Sequence, residues 1–127
     1  MKDKLNELRK DLFIEISSWG GLGPMPGNSG TIITKDNKLY RYHEYYRIPE
    51  YMQDKVTKEG LTEGTQLSEE TVEKLKNYIE KNLIGKDFPD QMIFDASFHV
   101  TVNYNGHTIT INNYPEINGD INNILKK

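Results

Sequence analysis

Histidine and acidic side chains are the residues of this chain best suited to acid–base chemistry or metal binding. His43 stands beside Glu44, and Asp95 precedes His99. Neighbours in a strand point to opposite faces, so His43 and Glu44 cannot hold one ion without a bulge. If Asp95 and His99 share a strand face, they stand about 13 Å apart at about 3.3 Å per residue. No serine motif or H-E-x-x-H pattern is present. We therefore interpret the histidines as structural and predict no catalytic residue and no metal site.

A stretch rich in glycine and proline, GGLGPMPGNSG at residues 20–30, could bind phosphate. Gly20, Gly21 and Gly23 follow a predicted strand, as in a phosphate-binding turn. However, no Lys-Ser or Lys-Thr pair follows, and no helix begins there to meet a phosphate. The composition instead predicts a loop without regular structure, in which the glycines form a wide turn or bulge.

The same loop carries three large apolar residues, Trp19, Leu22 and Met25. Such residues either plug a core or form an exposed anchor for another protein. Aromatic and methionine side chains are enriched at protein interfaces. We predict that these three residues bind a partner, with core packing as the alternative.

Tyrosines are concentrated between residues 40 and 51. Alternation along a strand places Tyr40, Tyr42 and Tyr46 on one face, which is typical of sheet packing. The other face is aromatic and basic, and it carries Arg41, His43, Tyr45 and Arg47. Because Arg and Tyr are common anchors of interfaces, we predict that this second face binds a partner. A solvated outer face is the alternative.

Length and composition exclude several classes of protein. The 127 residues, of net charge −3 and without cysteine, suit a single domain over residues 1–127. A nucleic-acid binder needs a concentrated basic surface, which the sequence lacks. No segment approaches the roughly 20 apolar residues of a membrane span, and the charged N-terminus lacks a signal-peptide core. We expect a cytoplasmic protein with no cofactor; frequent Asn and Lys with few Arg are typical of AT-rich bacterial genomes.

The clearest structural element is a β-hairpin over residues 97–113. Asn105 and Gly106 both tolerate the positive φ that a type I′ turn requires. Pairing outward from this turn places the large apolar side chains on one face, and a shift of one residue would scramble both faces. The predicted pairs are Tyr104 with His107, Val102 with Ile109 and Val100 with Ile111.

Other patterns complete the predicted fold. An apolar stripe begins after the capping residue Ser68 and ends near Gly85, which indicates the main helix. Strands are predicted over residues 12–19, 30–34 and 39–46, and residues 49–66 form a long connection that is either functional or mobile. Leucines at helical spacing near the N-terminus are compatible with a short helix there. We expect an α+β fold: an antiparallel sheet of four to five strands, the main helix packed on one face, and a short C-terminal helix.

The order of these elements resembles that of the emfourin-type inhibitors of thermolysin-like metalloproteases, which are small bacterial cytoplasmic proteins. The matching pieces are Phe13 to Gly21, Leu67 to Leu83, Phe98 to Ile111 and Ile121 to Leu125. Gly20 with Gly21, and Ser68 with Glu69 and Glu70, match at residue level, whereas the insertion from Tyr40 to Gln66 departs from the pattern. The resemblance implies a shared fold and a role in binding protein.

The sequence therefore predicts a small bacterial protein-binding module, in the form of a protease inhibitor or a toxin-immunity protein. One alternative is a ligand-binding protein or enzyme with a pocket between the glycine loop and the tyrosine-rich strand. Another is a homodimeric structural protein that pairs through an exposed sheet edge. A deep cavity with converging polar groups would favour the ligand-binding alternative.

Overall fold

Seven antiparallel strands form one sheet in the computed structural model, which describes residues 1–21, 26–92 and 96–126. The helices are α1 (Lys2–Arg9), α2 (Glu69–Asn82) and α3 (Pro115–Leu125). The strands are β1 (Leu12–Gly20), β2 (Gly27–Thr34), β3 (Lys38–Tyr45), β4 (Glu59–Leu61), β5 (Thr65–Gln66), β6 (Ala96–Tyr104) and β7 (His107–Asn112). The predicted α+β class with an antiparallel sheet is confirmed.

The strand order is β4-β3-β2-β1-β6-β7, and β5 also pairs with β3. The prediction of four to five strands was too low, because residues 59–66 add two short strands along the outer side of β3. This segment was interpreted as a long connection, since it is polar and carries two glycines. These strands pair with β3 through backbone N–H and C=O groups. Their side chains do not alternate between apolar and polar, so the sequence gives no sign of a strand.

Helices cover both faces of the sheet, where the sequence predicted one main helix on one face. The first face, here called the α2/α3 face, buries Ile14, Val100 and Val102 together with Leu75 of α2 and Ile121 of α3. On the opposite face, here called the α1 face, the leucines of α1 pack against the strands β2 and β3. This second cluster contains Leu5, Leu8, Leu12, Ile32 and Tyr42. The sheet is therefore the middle of three layers.

The late hairpin has the predicted register. Val102 lies opposite Ile109, Val100 opposite Ile111, and Tyr104 opposite His107. Asn105 and Gly106 adopt φ angles of 48° and 78°, as the type I′ turn requires. The local sequence was therefore sufficient to determine this part of the sheet.

The main helix also begins as predicted. The Ser68 side chain accepts a hydrogen bond from the backbone N–H of Thr71 at 3.1 Å, which satisfies one of the free donors of the first turn. After the last turn, Gly85 takes a φ of 73°, a conformation that favours glycine. Leu75 and Ile79 on the inner stripe are fully buried against the sheet.

The glycine-rich stretch is more regular than its composition predicts. Strand β1 extends to Gly20 and β2 begins at Gly27, so the segment between the two strands is residues 21–26. A Cβ atom on Gly27 would stand 2.7 Å from the Cα atom of Tyr45 and closer still to the carbonyl oxygen of Glu44. Glycine at this position thus permits close approach of β2 and β3, and the expectation of a loop throughout residues 20–30 was wrong.

Candidate functional site

Three of the predicted partner-binding residues alternate along β3 and share the α2/α3 face. Arg41 is exposed, whereas His43 and Tyr45 are half-buried with ring centroids 4.9 Å apart. Arg47, predicted to continue this face, is exposed but lies beyond the end of β3 at Tyr45. The strand thus brings together three of the four residues.

Of the three tyrosines predicted to pack on the other face, two lie within β3 and one lies beyond its end. Tyr42 is buried and Tyr40 packs beside it in the α1-face cluster. Tyr46, predicted to accompany them, lies past the end of β3 and is 52 % exposed. The alternation of the strand stops one residue earlier than the sequence pattern, which leaves Tyr46 available at the surface.

Trp19 lies near the end of β1 and is half-buried. Strand alternation places it on the α1 face, opposite to Arg41 and Tyr45. Its indole ring covers Gly21, where an added Cβ would stand 2.6 Å from the ring atom Cη2. Leu22 and Met25, the other predicted partner-binding residues of this segment, lie outside the described residues.

Strand pairing brings residues that are far apart in sequence to one end of the sheet. In register, Gly20 pairs with Gly27, and Gly27 pairs with Tyr45. Beyond this end, the Tyr46 backbone N–H donates to the Pro26 carbonyl oxygen at 2.8 Å. The chain from β3 to β4 also begins and ends here and carries Tyr51, which is 73 % exposed. We call this group of residues the aromatic end: Trp19, Tyr45, Tyr46 and Tyr51.

The connection from β3 to β4 is tied back onto the sheet. The Nε2 atom of His43 lies 3.1 Å from the carbonyl oxygen of Thr57 and 3.2 Å from its Oγ1. Gly60 of β4 lies directly against the His43 imidazole, where a Cβ would meet Cε1 at 2.6 Å. The His43 ring therefore packs against Tyr45 and also contacts Thr57 of the connection. These contacts position the connection relative to the aromatic end.

A polar recess of about 290 Å³ opens on the α2/α3 face beside α3. Ile16 and Phe98 form the apolar part of its lining, and most of the other lining residues are polar. These polar residues are Ser18, Ser29, Thr31, Arg41, Asn118 and Asn122. Arg41 Nη1 donates to Thr31 Oγ1 at 3.3 Å, which holds the guanidinium over the strand pair.

Asn118 is the most unusual polar residue of the recess. Its side chain is on the inner side of α3, and the residue is only 8 % exposed. Nδ2 donates to the backbone carbonyl oxygen of Ser17 at 3.1 Å, whereas Oδ1 accepts no hydrogen bond within the described residues. A buried acceptor without a donor costs about 1 to 3 kcal/mol. A water molecule or a ligand that donates to Oδ1 would remove this cost.

An ionic network on the opposite face of the sheet ties α1 to β1 and β3. Arg9 donates to the Glu15 carboxylate through Nε at 2.9 Å and Nη2 at 2.8 Å. Tyr42 donates its hydroxyl to Glu15 Oε2 at 2.7 Å. The hydrogen bond to Glu15 raises the pKa of Arg9, while burial, followed by the charge of Glu15, raises the pKa of Tyr42 to about 12. Each charged or hydroxyl group of the network is paired within the chain, so we interpret the network as stabilising the fold.

The raised pKa of Tyr42 has a consequence for stability in alkaline solution. The folded protein retains this proton up to a pKa of about 12, whereas the unfolded chain loses it near 10. The contribution of Tyr42 is therefore fully present below pH 10 and is lost as the pH rises from 10 to 12. We expect the free energy of unfolding of the wild type to fall more steeply over this range than that of Tyr42→Phe, as measured by urea unfolding. Parallel pH profiles for the two proteins would contradict this assignment.

The histidines do not gather with acidic side chains in the described part of the chain. No group of three His, Asp or Glu side chains there has the arrangement of a metal site. His99 instead contacts Asn112 Oδ1 through Nδ1 at 2.8 Å and Ser97 Oγ through Nε2 at 3.3 Å. Asp95, considered with His99 in the sequence, lies outside the described residues.

The sequence analysis considered a pocket between the glycine loop and the tyrosine-rich strand, but it missed the contribution of α3, through Asn118 and Asn122, to the recess. One signal was present, because Asn118 falls beside Ile117 and Ile121 on the inner stripe of α3, where an apolar residue is the usual choice. The recess itself depends on a contact between residues 101 positions apart, Asn118 and Ser17. A pattern within α3 could have indicated a buried polar group but not its surroundings.

Comparison with known protein families, curated proteins and solved structures found no match to this chain. Within the described ranges, none of the helices has the length and apolar character needed to cross a membrane. The site must therefore be interpreted from its own geometry.

Proposed function

We propose that this protein is a protein-binding module whose contact surface is the aromatic end, with Arg41 beside it on β3. The observation that supports this proposal most strongly is the strand register. It brings the end of β1, with Trp19, and the end of β3, with Tyr45, to the same end of the sheet. Trp, Tyr and Arg are the residues most enriched among the energetic anchors of interfaces.

Two of the anchors, Tyr45 and Tyr46, are held by contacts within the chain. Tyr45 packs against the His43 ring, and Tyr46 is held by its backbone bond to Pro26. The Tyr46 hydroxyl also accepts a hydrogen bond from Asn28 Nδ2 at 3.4 Å. Side chains fixed in this way lose little conformational entropy on association, so more of their contact energy contributes to affinity.

The most concrete form of the proposal is an inhibitor of a protease or a toxin-immunity protein of the bacterial cytoplasm. Inhibitors of enzymes work with pre-organised surfaces that change little on binding. A sheet with continuous strand pairing and aromatic side chains at one end meets that requirement. The resemblance to emfourin-type inhibitors implies a role in binding protein.

Capture of the partner tests the proposal. Tagged wild-type protein is compared with the double variant Tyr46→Ala/Tyr51→Ala in a lysate of the source organism. Both tyrosines are exposed, so the free energy of unfolding is expected to change by only about 0.5 kcal/mol. Binding should weaken by about 1 kcal/mol or more if they contact the partner.

A matched control removes one exposed aromatic and one exposed cationic side chain elsewhere. The variant His107→Ala/Lys81→Ala changes the hairpin tip and α2, both outside the aromatic end. We expect it to capture the same proteins as the wild type. Equal capture by the tyrosine variant and the control would contradict the proposed surface.

A further inference from the structure

We propose that the polar recess beside α3 binds a small organic anion that also carries hydroxyl groups, of the class of sugar acids and sugar phosphates. The anionic group would face Arg41, and a hydroxyl would donate toward the Asn118 acceptor. This inference concerns a small ligand on the α2/α3 face. It shares Arg41 with the contact surface proposed above, but it does not involve the tyrosines of the aromatic end, through which that surface is tested.

The charge of the lining favours an anion. Among the described residues that line the recess, Arg41 supplies the one cationic side chain and none is acidic. In the described part of the chain Arg41 forms no salt bridge, and its hydrogen bond to Thr31 uses Nη1. A guanidinium has further N–H donors in a planar fork that matches carboxylate and phosphate oxygens. The hydroxyls of Ser18 and Ser29 are additional donors at the same surface.

Asn118 adds a requirement for a hydrogen-bond donor, which the charge of an anion does not meet by itself. Because Nδ2 donates to the Ser17 carbonyl oxygen, the amide orientation is fixed and Oδ1 is left as an acceptor. A hydroxyl or an amine of a ligand can donate to it, in place of a water molecule. On the same wall, the Asn122 amide offers both a donor and an acceptor. A ligand for this recess therefore combines negative charge with donor groups.

The size of the recess agrees with such a ligand. Its volume of about 290 Å³ is near the lower end of typical ligand pockets. Ile16 and Phe98 provide an apolar patch against which the carbon skeleton of a polyhydroxy compound can pack.

Titration with named probes tests the proposal on the full chain. Gluconate and glucose 6-phosphate represent the class, while glucose lacks the charge and inorganic phosphate lacks the carbon-bound hydroxyls. The readouts are the NMR amide signals of Ser18, Ser29, Thr31 and Asn118, and the thermal midpoint, which rises when a ligand binds the native state alone. We expect saturable shifts and a higher midpoint with gluconate or glucose 6-phosphate, and at least tenfold weaker binding of glucose and of phosphate.

Variants assign the binding to the recess. Arg41→Gln is expected to weaken binding of the anionic probes at least tenfold, and Arg41→Lys, which keeps the charge, should restore part of it. Lys81→Gln removes an exposed cation of α2 outside the recess and should bind as the wild type does.

Three results would overturn the proposal. These are the absence of saturable shifts with every probe, binding by Arg41→Gln equal to that of the wild type, and binding of glucose as tight as that of gluconate. None of these results bears on capture of a protein by the tyrosines of the aromatic end, so the two proposals fail separately.

Discussion

Truncation of Leu75 to alanine is expected to lower the free energy of unfolding by about 2 to 5 kcal/mol. Leu75 has no exposed surface and lies between α2 and the strands β1 and β6. Removing its branched end takes apolar surface out of the core and leaves a cavity that close-packed neighbours fill only in part. Urea unfolding followed by circular dichroism measures the change.

The control for this variant is Glu73→Ala, an exposed position of the same helix. It also raises helix propensity slightly, so we expect a change within about 0.5 kcal/mol. A loss of only a few tenths in Leu75→Ala would show that α2 packs against the sheet through another face.

Replacement of Gly27 by alanine is expected to cost about 1 to 3 kcal/mol, even though alanine is the smallest side chain that can be added. The new Cβ would collide with backbone atoms of Glu44 and Tyr45, which cannot rotate away as a flexible side chain can. The strands β2 and β3 must separate to admit it, and this displaces the aromatic end as well.

Gly20 is the matched control, because it is the partner of Gly27 in the β1–β2 register. Apart from its two chain neighbours, no described residue has an atom within 4 Å of a Cβ built on Gly20, so Gly20→Ala should be neutral or slightly stabilising. Equal stabilities of the two variants would contradict the close strand approach assigned to Gly27.

The parts of the fold that were predicted from the sequence are those with strong local signals. Asn105 and Gly106 specify the turn by their tolerance of positive φ, and the alternation on each side then determines the register. Ser68 specifies the start of α2 in the same local way. Each of these signals lies within a few residues of the structure that it determines.

The parts that were missed depend on contacts between distant segments. Strands β4 and β5 are recognisable only by their backbone bonds to β3, and β2 begins at Gly27 because that glycine meets β3 closely. For the candidate site, alternation placed Arg41, His43 and Tyr45 on one face. It could not show that Trp19 would come to the same end of the sheet on the opposite face, since this follows from pairing across β2.

Site-specific photo-crosslinking tests the central claim, binding of a partner at the aromatic end, most directly. Benzoylphenylalanine is introduced in place of Tyr46, which is 52 % exposed, and in a second protein in place of the exposed Glu73 of α2. After irradiation in cells of the source organism, we predict that the protein with the probe at position 46 forms one dominant crosslink to another protein and that the protein with the probe at position 73 does not. The same crosslinks from both positions, or none from position 46, would contradict the account.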